Sequence, residues 1–341
     1  MKYLSFVVPC YNSEKYMRKC IESLLIGKED VEIIIVNDGS KDNTINIARE
    51  YEEKYPSIIR VVDKENGGHG SGVNKGIELA TGLYFKCVDS DDWVDEVSYT
   101  KLIQTMIEHE KDNKLPDMYF VNEVYERLDL NTSYEEKLEN RIKPNEFITW
   151  KDVRLDGVAD YLMMHEMIIK RELIIKSNSI CPHHTFYVDN IYAFKPLYYV
   201  KTMYYLNVPF YRYLVGRPNQ SVTLNNMSKN YYMQIRVMKE LSYAYTLEEL
   251  KALDKRHYKY MMHDLIVKQF LTFFYVYIKP DKQKIKEYKE YFKEFKSKNR
   301  KLYYKLRYRT YFIVYSLMIK PLKILAIKIG YKQIIKKNNW N

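Results

Sequence analysis

The sequence is poor in the residues that staple or punctuate small secreted chains: its 341 residues include four cysteines, 11 glycines and 10 prolines. Cys10, Cys20, Cys87 and Cys181 form no C-x-x-C pair, which excludes a zinc ribbon and a dense disulfide scaffold and makes a reducing cytoplasm the expected compartment. Too little Gly and Pro is present for a collagen-like or low-complexity chain. The balance of 46% hydrophobic and 29% charged residues is that of a globular protein, with length for two or three domains. The start, Met1 to Val8, lacks the basic region and longer apolar stretch of a secretory signal. A long apolar run is missing too. The best candidate, residues 311–330, is interrupted by Lys320, Pro321, Lys323 and Lys328, so it reads as a basic, aromatic-edged helix lying in an interface rather than as a span. No Gly-Lys-Ser/Thr loop and no G-x-G-x-x-G after the first strand occur. His183 and His184 lack a Cys or carboxylate at zincin spacing.

What is present is charge of two kinds in two places. From residue 251 onward there are 24 Lys or Arg against 6 Asp or Glu, while the first 250 residues carry 31 against 38. A mildly acidic body with a basic appendage points to a polyanionic partner, an anionic membrane surface or nucleic acid. No nucleic-acid fold signature accompanies it, so no nucleic acid is expected. A solvated face in a Lys- and Tyr-rich protein is the plainer reading of the same charge run.

Short apolar strands alternate with helical periodicity through the first hundred residues. Strands are expected at Tyr3 to Val8, Val31 to Val36, Ile58 to Val62 and Leu83 to Val88. Helices are expected from Ser13 as N-cap to Leu25, from about Asp42, and over Gly72 to Ala80. This order predicts a mostly parallel α/β sheet whose functional residues collect at the strand ends. A helix over Val97 to Lys111 and a strand over Asp117 to Val124 follow, then a polar loop or insertion at 128–146. Beyond residue 225 the composition turns to Tyr, Lys, Met and Leu, which favours helices. The expected domains are therefore 1–225, catalytic, and 226–341, helical, basic and aromatic-rich, with membrane association or homo-oligomerisation as its role.

Three polar turns carry the chemistry. Asp89-Ser90-Asp91-Asp92 follows a buried strand, where carboxylates need neutralising; a divalent cation on a diphosphate would do it, and capping of the next helix by Asp91 or Asp92 is the alternative. Asp38 in Asn37-Asp38-Gly39-Ser40 and Tyr11 in Pro9-Cys10-Tyr11-Asn12 end two other strands, offering an acceptor for a ring N–H and a flat face for a base. The run Asn66-Gly67-Gly68-His69-Gly70-Ser71-Gly72 would bring backbone N–H groups close to an anion.

Taken in order, Val7 to Asn12, Val36 to Asp42, Asn66-Gly67-Gly68 and Val88 to Asp92 resemble a family 2 glycosyltransferase with the GT-A fold, inverting and of the bacterial cell-surface glycan type. The resemblance is strong over about 1–100 and looser to 225. It implies that Asp38 contacts the donor's base, that Pro9 and Tyr11 line the base pocket, that Asp89 lies near the ribose and that Asp91 ligates Mn²⁺ or Mg²⁺. In Phe186-Tyr187-Val188-Asp189-Asn190, Asp189 takes the place of the family's catalytic base, although Val188 stands where an acidic residue is common; a helix N-cap is the other reading of Asp189. Val73 replaces a family Arg, and His69, Lys75, Arg212 or Arg217 are the candidate substitutes. The implied activity is hexosyl transfer, metal-dependent, from a UDP-sugar to a hydroxyl of a lipid-linked glycan acceptor for a surface polysaccharide or wall polymer. The enzyme would sit in the cytoplasm at the inner face of the membrane. A catalytically silent GT-A scaffold for another transferase is the alternative.

Overall fold

The computed structural model describes residues 2–127, 130–154, 161–216 and 223–307, which fall into two compact units, one of residues 1–154 and 162–218 and the other of residues 155–161 and 219–341. Arg217 and residues 308–341 lie outside the described residues.

The first unit is built on one sheet. Its strands are β1 (Leu4–Cys10), β2 (Val31–Asp38), β3 (Ile59–Lys64), β4 (Tyr84–Cys87), β5 (Trp93–Val94), β6 (Met118–Arg127), β7 (Thr132–Glu136), β8 (Phe147–Thr149), β9 (Met167–Lys170) and β10 (Thr202–Val215). Their order is β3-β2-β1-β4-β9-β6-β10-β5, with β7 added to β6 and β8 to β10. The half from β3 to β4 is parallel; β9 then runs antiparallel to both β4 and β6. Helices α1 (Met17–Leu24), α2 (Thr44–Lys54), α3 (His69–Leu79), α4 (Glu96–Lys111), α5 (Arg171–Lys176) and α6 (Asp189–Phe194) flank it. All seven residues of β1 are buried, as expected of a central strand covered on both faces, which reads as a continuous apolar run. α1 buries Met17, Cys20, Ile21 and Leu24 on one face, each such side chain contributing about 1.5–3 kcal/mol on leaving water.

Three expectations need correcting. Helix α1 starts at Met17, with Tyr16 and not Ser13 at the N-cap position, and the Ser13 hydroxyl is drawn to the Tyr11 amide at 3.2 Å and to the Ser90 hydroxyl at 2.7 Å. Helix α3 begins three residues early, at His69, since Gly68 takes φ +82° at its cap position. The polar stretch after residue 128 is not all loop: β7 pairs antiparallel with β6, with Tyr125 opposite Tyr134.

The second unit is helical: α7 (Leu224–Lys229), α8 (Tyr231–Ala244), α9 (Leu247–Ala252), α10 (Lys255–Tyr277), α11 (Lys282–Lys298) and α12 (Arg300–Arg307). Helix α10 is buried on most of its circumference and encloses an ion pair, Lys268 to Asp264, at 2.6 Å. Among the described residues no helix is long and apolar enough to cross a membrane.

Candidate functional site

Register sets the site. Cys10 pairs with Asn37 and Val7 with Cys87, so the carboxyl ends of β1, β2 and β4 emerge along one sheet edge. Side chains knit the turns there. The Asn12 amide donates to Ser40 Oγ at 3.0 Å, the Lys41 amide to Asn12 Oδ1 at 2.8 Å, and the Ser13 amide to Thr44 Oγ1 at 2.7 Å. With Ser13 bonded to Ser90, the turns after all three strands form one framework. Tyr11 stands out of it, 53% exposed, while Pro9 is buried in the strand behind.

Asp38 organises the glycine-rich turn. Its Oδ1 accepts from Lys64 Nζ at 2.6 Å, the Gly67 amide at 2.9 Å and Ser71 Oγ at 3.1 Å; its Oδ2 accepts from the Gly68 amide at 2.7 Å. Burial works against ionisation, but the Lys64 ammonium and these donors outweigh it and hold the carboxyl below its ordinary value. The turn's N–H groups therefore do meet an anion, as the sequence predicted, but that anion is the protein's own Asp38. One acceptor position on Oδ2 is left over by this set, since a carboxylate oxygen carries two lone pairs.

The glycines themselves answer to a different neighbour. A Cβ on Gly68 would lie 3.0 Å from the backbone of His184, and one on Gly70 would lie 2.8 Å from Cys181 Cβ and 3.3 Å from a Val188 methyl. The segment 181–188 thus lies directly on the turn, with the His184 amide donating to Gly67 O at 2.7 Å. Asn74 fastens it further, donating to Cys181 O and accepting from the Cys181 amide, both at 2.8 Å. His184 and Tyr187 hold φ of +47° and +64°, an uncommon conformation for bulky residues and one that clusters at functional sites. The segment delivers Asp189, half-buried at the first turn of α6, where its Oδ2 accepts from Asn190 Nδ2 at 3.3 Å. Val188 holds the cap position of that helix. Burial, with smaller contributions from the Asp89 and Asp189 charges, pushes the Tyr192 hydroxyl well above its ordinary value.

After β4 the four acidic-turn residues divide their labour. Asp92 is buried, accepting from Tyr211 Oη at 2.7 Å and from the Leu214 amide at 2.8 Å; burial and the adjacent Asp89 charge push it well above the usual carboxylate range. Neither Asp91 nor Asp92 caps the next helix: Asp95 does, accepting from the Ser98 amide at 3.0 Å. Asp89 and Asp91 are half-buried at the mouth.

His69 bonds to Asp89 Oδ1 at 3.0 Å. Burial opposes its protonation, yet Asp89 and Cys87 overcome that and hold the imidazole well above its ordinary value. Of the other candidates for a cation in place of Val73, Lys75 is paired with Glu78 at 2.8 Å on the outer face of α3. Arg212 is spent on Asp95 at 2.7 Å and Glu126 at 2.8 Å. Among the described candidates that leaves His69 in contact with the acidic turn; Arg217 lies outside the described residues.

Sequence reasoning missed the layer beneath. Lys86, buried in β4, donates to the carbonyls of Met164 at 3.2 Å, His165 at 2.7 Å and Met167 at 3.2 Å, while burial draws its pKa down to about 7. The His165 ring so held stacks on Tyr211 at 4.4 Å and bonds to Glu123 at 2.5 Å. The signal was available: Lys86 and Glu123 are charged residues in the middle of otherwise apolar strands, where an unpaired charge is costly.

Donor atoms suited to a metal converge within 4.8 Å in two groups among the described residues, His69–Cys87–Asp89 and Asp89–Asp92–His165. Asp91 is in neither, so convergence centres on Asp89. The half-buried carboxylates of Asp89 and Asp91, two residues apart on one turn, are hard oxygen donors of the kind that suit Mn²⁺ or Mg²⁺.

The model of the family "Glycosyl transferase family 2" matches residues 5–173. Over 110 residues the chain is 42% identical to the "Uncharacterized glycosyltransferase YibD" of Escherichia coli (strain K12), covering 32% of each chain. Over 111 residues it is 38% identical to the "Minor teichoic acid biosynthesis protein GgaB" of Bacillus subtilis (strain 168), covering 32% of this chain and 12% of that one. These matches span a third or less of the relatives' length. Among solved structures, S. aureus TarS 1-349 in complex with UDP-GlcNAc superposes with a TM-score of 0.66 at 18% identity, covering 98% of this chain and 92% of that one. The shared fold is GT-A.

Proposed function

From the premise that residues 5–173 belong to glycosyl transferase family 2, we propose that the protein transfers a sugar from a nucleoside-diphosphate donor, a UDP-sugar, to a hydroxyl of a glycan acceptor. The observation that carries this reading is the strand-edge cluster: exposed Tyr11, Asp38 with an acceptor position to spare, and the Asp89–Asp91 turn, with Asp189 at the end of the segment that Asn74 clamps at Cys181. The base stacks on Tyr11 and its ring N–H donates to Asp38 Oδ2. Asp89 and Asp91 would hold Mn²⁺ or Mg²⁺, which when bound counters the charge that builds on a departing diphosphate. His69 adds positive charge where the family's Arg is absent. Asp189 accepts the proton of the acceptor hydroxyl as the new C–O bond forms, with inversion if attack comes from the face opposite the diphosphate.

The relatives' names and the TarS complex support a hexosyl donor and a cell-wall or surface polymer as acceptor, and a lipid-linked acceptor would place the enzyme at the inner face of the membrane. Calorimetric titration with UDP-, GDP- and dTDP-sugars in the presence of Mn²⁺ tests donor recognition. We expect one base to bind and Tyr11→Ala to weaken that binding by about 1–3 kcal/mol, the worth of base–aromatic stacking. Equal binding by the variant would remove Tyr11 from the site.

A further inference from the structure

Helix α11 (Lys282–Lys298) divides its surface by chemistry. Tyr288, Tyr291 and Phe295, three and four residues apart, are buried. Tyr291 shares its hydroxyl with Ser242 of α8 at 2.8 Å and with Gln269 of α10, so the helix is fixed in the bundle by that face. Roughly 150° around the helix lies a second series, at 100° per residue. Lys282, Lys286, Lys289, Lys293 and Lys296, spaced by four, three, four and three residues, are all exposed. At about 1.5 Å per residue they form a straight line of about 21 Å. Among the described residues none of the five is paired with a carboxylate. Glu287 accepts from Tyr231 of α8 at 2.8 Å and Glu294 binds Lys239 of α8 at 2.5 Å, so both face the bundle, whereas Glu290 is exposed at the stripe's margin. Helix α12, with the sequence RKLYYKLR, adds four cations and no acid.

A line of like charges costs repulsion unless something meets it. We propose that this stripe docks the protein on an anionic phospholipid surface. Charge complementarity on an exposed helix face favours this occupant. A single outward ridge of long lysines, anchored from behind by aromatic packing, presents its ammonium groups to a plane of phosphates, while a groove to enclose a polymer chain is not part of it. The sequence beyond it continues in kind, since 311–330 is apolar with Lys320, Lys323 and Lys328 interspersed. Exposed aromatics alternating with the lysines, which stacking on single-stranded nucleic acid needs, are lacking along the stripe. The proposal deepens the membrane-surface part of the functional reading by naming the face that makes the contact, and it stands independently of catalysis.

The test is co-sedimentation of the full chain with phosphatidylglycerol/phosphatidylethanolamine vesicles and with phosphatidylcholine vesicles, at low and at 0.5 M salt. Binding is expected to the anionic vesicles alone and to fall with salt. In Lys286→Glu/Lys289→Glu/Lys293→Glu the affinity should drop by about tenfold or more. The milder Lys286→Gln/Lys289→Gln/Lys293→Gln, which adds no new charge to the helix, should lose part of it. A control with the same change in net charge, Lys101→Glu/Lys111→Glu/Lys114→Glu on and after α4, should bind like the parent. Parent-like binding by both stripe variants, an equal loss in the control, or binding to soluble polyphosphate with indifference to vesicles would each overturn the proposal. Nucleoside diphosphate release, measured in solution on the same proteins, reports on the transferase reading separately.

Discussion

At the scale of single residues, the site is a problem in charge balance. Asp38, Asp89 and Asp92 crowd one sheet edge, and each is handled differently. Asp38 is ionised against Lys64 and the turn amides, and Asp92 is buried and pushed toward its neutral form by Asp89. Asp89 takes His69 as its partner. The His69–Asp89 pair gives a pH dependence whose sign is fixed. Because the folded protein raises the His69 pKa, the pair's contribution is fully present below the ordinary histidine value and is lost as pH rises through the raised one. His69→Gln should therefore cost on the order of 1 kcal/mol at pH 6, discounted for partial exposure, and less once pH has risen through the raised His69 value. Parallel denaturation curves of parent and variant across pH check this; a gap that stays constant would mean the bond is between neutral groups. Lys86 shows what one sequence hides. An unusual lysine in a strand is visible, but its three carbonyl partners lie 78 to 81 residues away and are unreadable without the fold.

At the scale of elements, β1, β2, β3 and β4 and the helices between them were legible because apolar runs and turn residues alternate so regularly there. The GT-A resemblance rests on those same turns. What could not be read was how a distant segment uses them. The glycines at 68 and 70 look like an anion cradle, yet the space they leave is filled by residues 181–188, and the amides of Gly67 and Gly68 serve Asp38. Likewise β7 was hidden in a polar stretch because an edge strand exposed on one side lacks an apolar run. Asn74 joins the two distant pieces, so Asn74→Ala should uncouple them. Losing both bonds to Cys181 should cost about 1–3 kcal/mol of stability, measurable by chemical denaturation. Turnover should fall severalfold while donor affinity by calorimetry is unchanged, because the clamp positions Asp189 and not the base pocket. A drop in donor affinity of the same size as the drop in turnover would show that the clamp shapes the whole crevice.

At the scale of the whole molecule, the charge asymmetry seen in the sequence maps onto the two units. An α/β unit carries an acidic crevice, and a helical unit displays a cationic ridge on α11. The fold class, the polar turns at the strand ends and the helical second unit were readable from composition and period. Arg217, a candidate for the cation missing at Val73, lies outside the described residues, so its part in the reading still rests on the sequence.

The central claim is that the Asp89–Asp91 turn and Asp189 divide donor activation from acceptor deprotonation. Nucleoside diphosphate release from a panel of nucleotide sugars, with and without Mn²⁺, tests it most directly when parent, Asp91→Asn and Asp189→Asn are run side by side. The account predicts slow, Mn²⁺-dependent release from one donor by the parent and a loss of about a hundredfold or more in Asp91→Asn, of the order seen when a transition-state charge stabiliser is removed. It further predicts intact donor binding without transfer in Asp189→Asn. Release by Asp91→Asn at the parent's rate, full transfer by Asp189→Asn, or neither release nor calorimetric binding of any donor by the parent would contradict it.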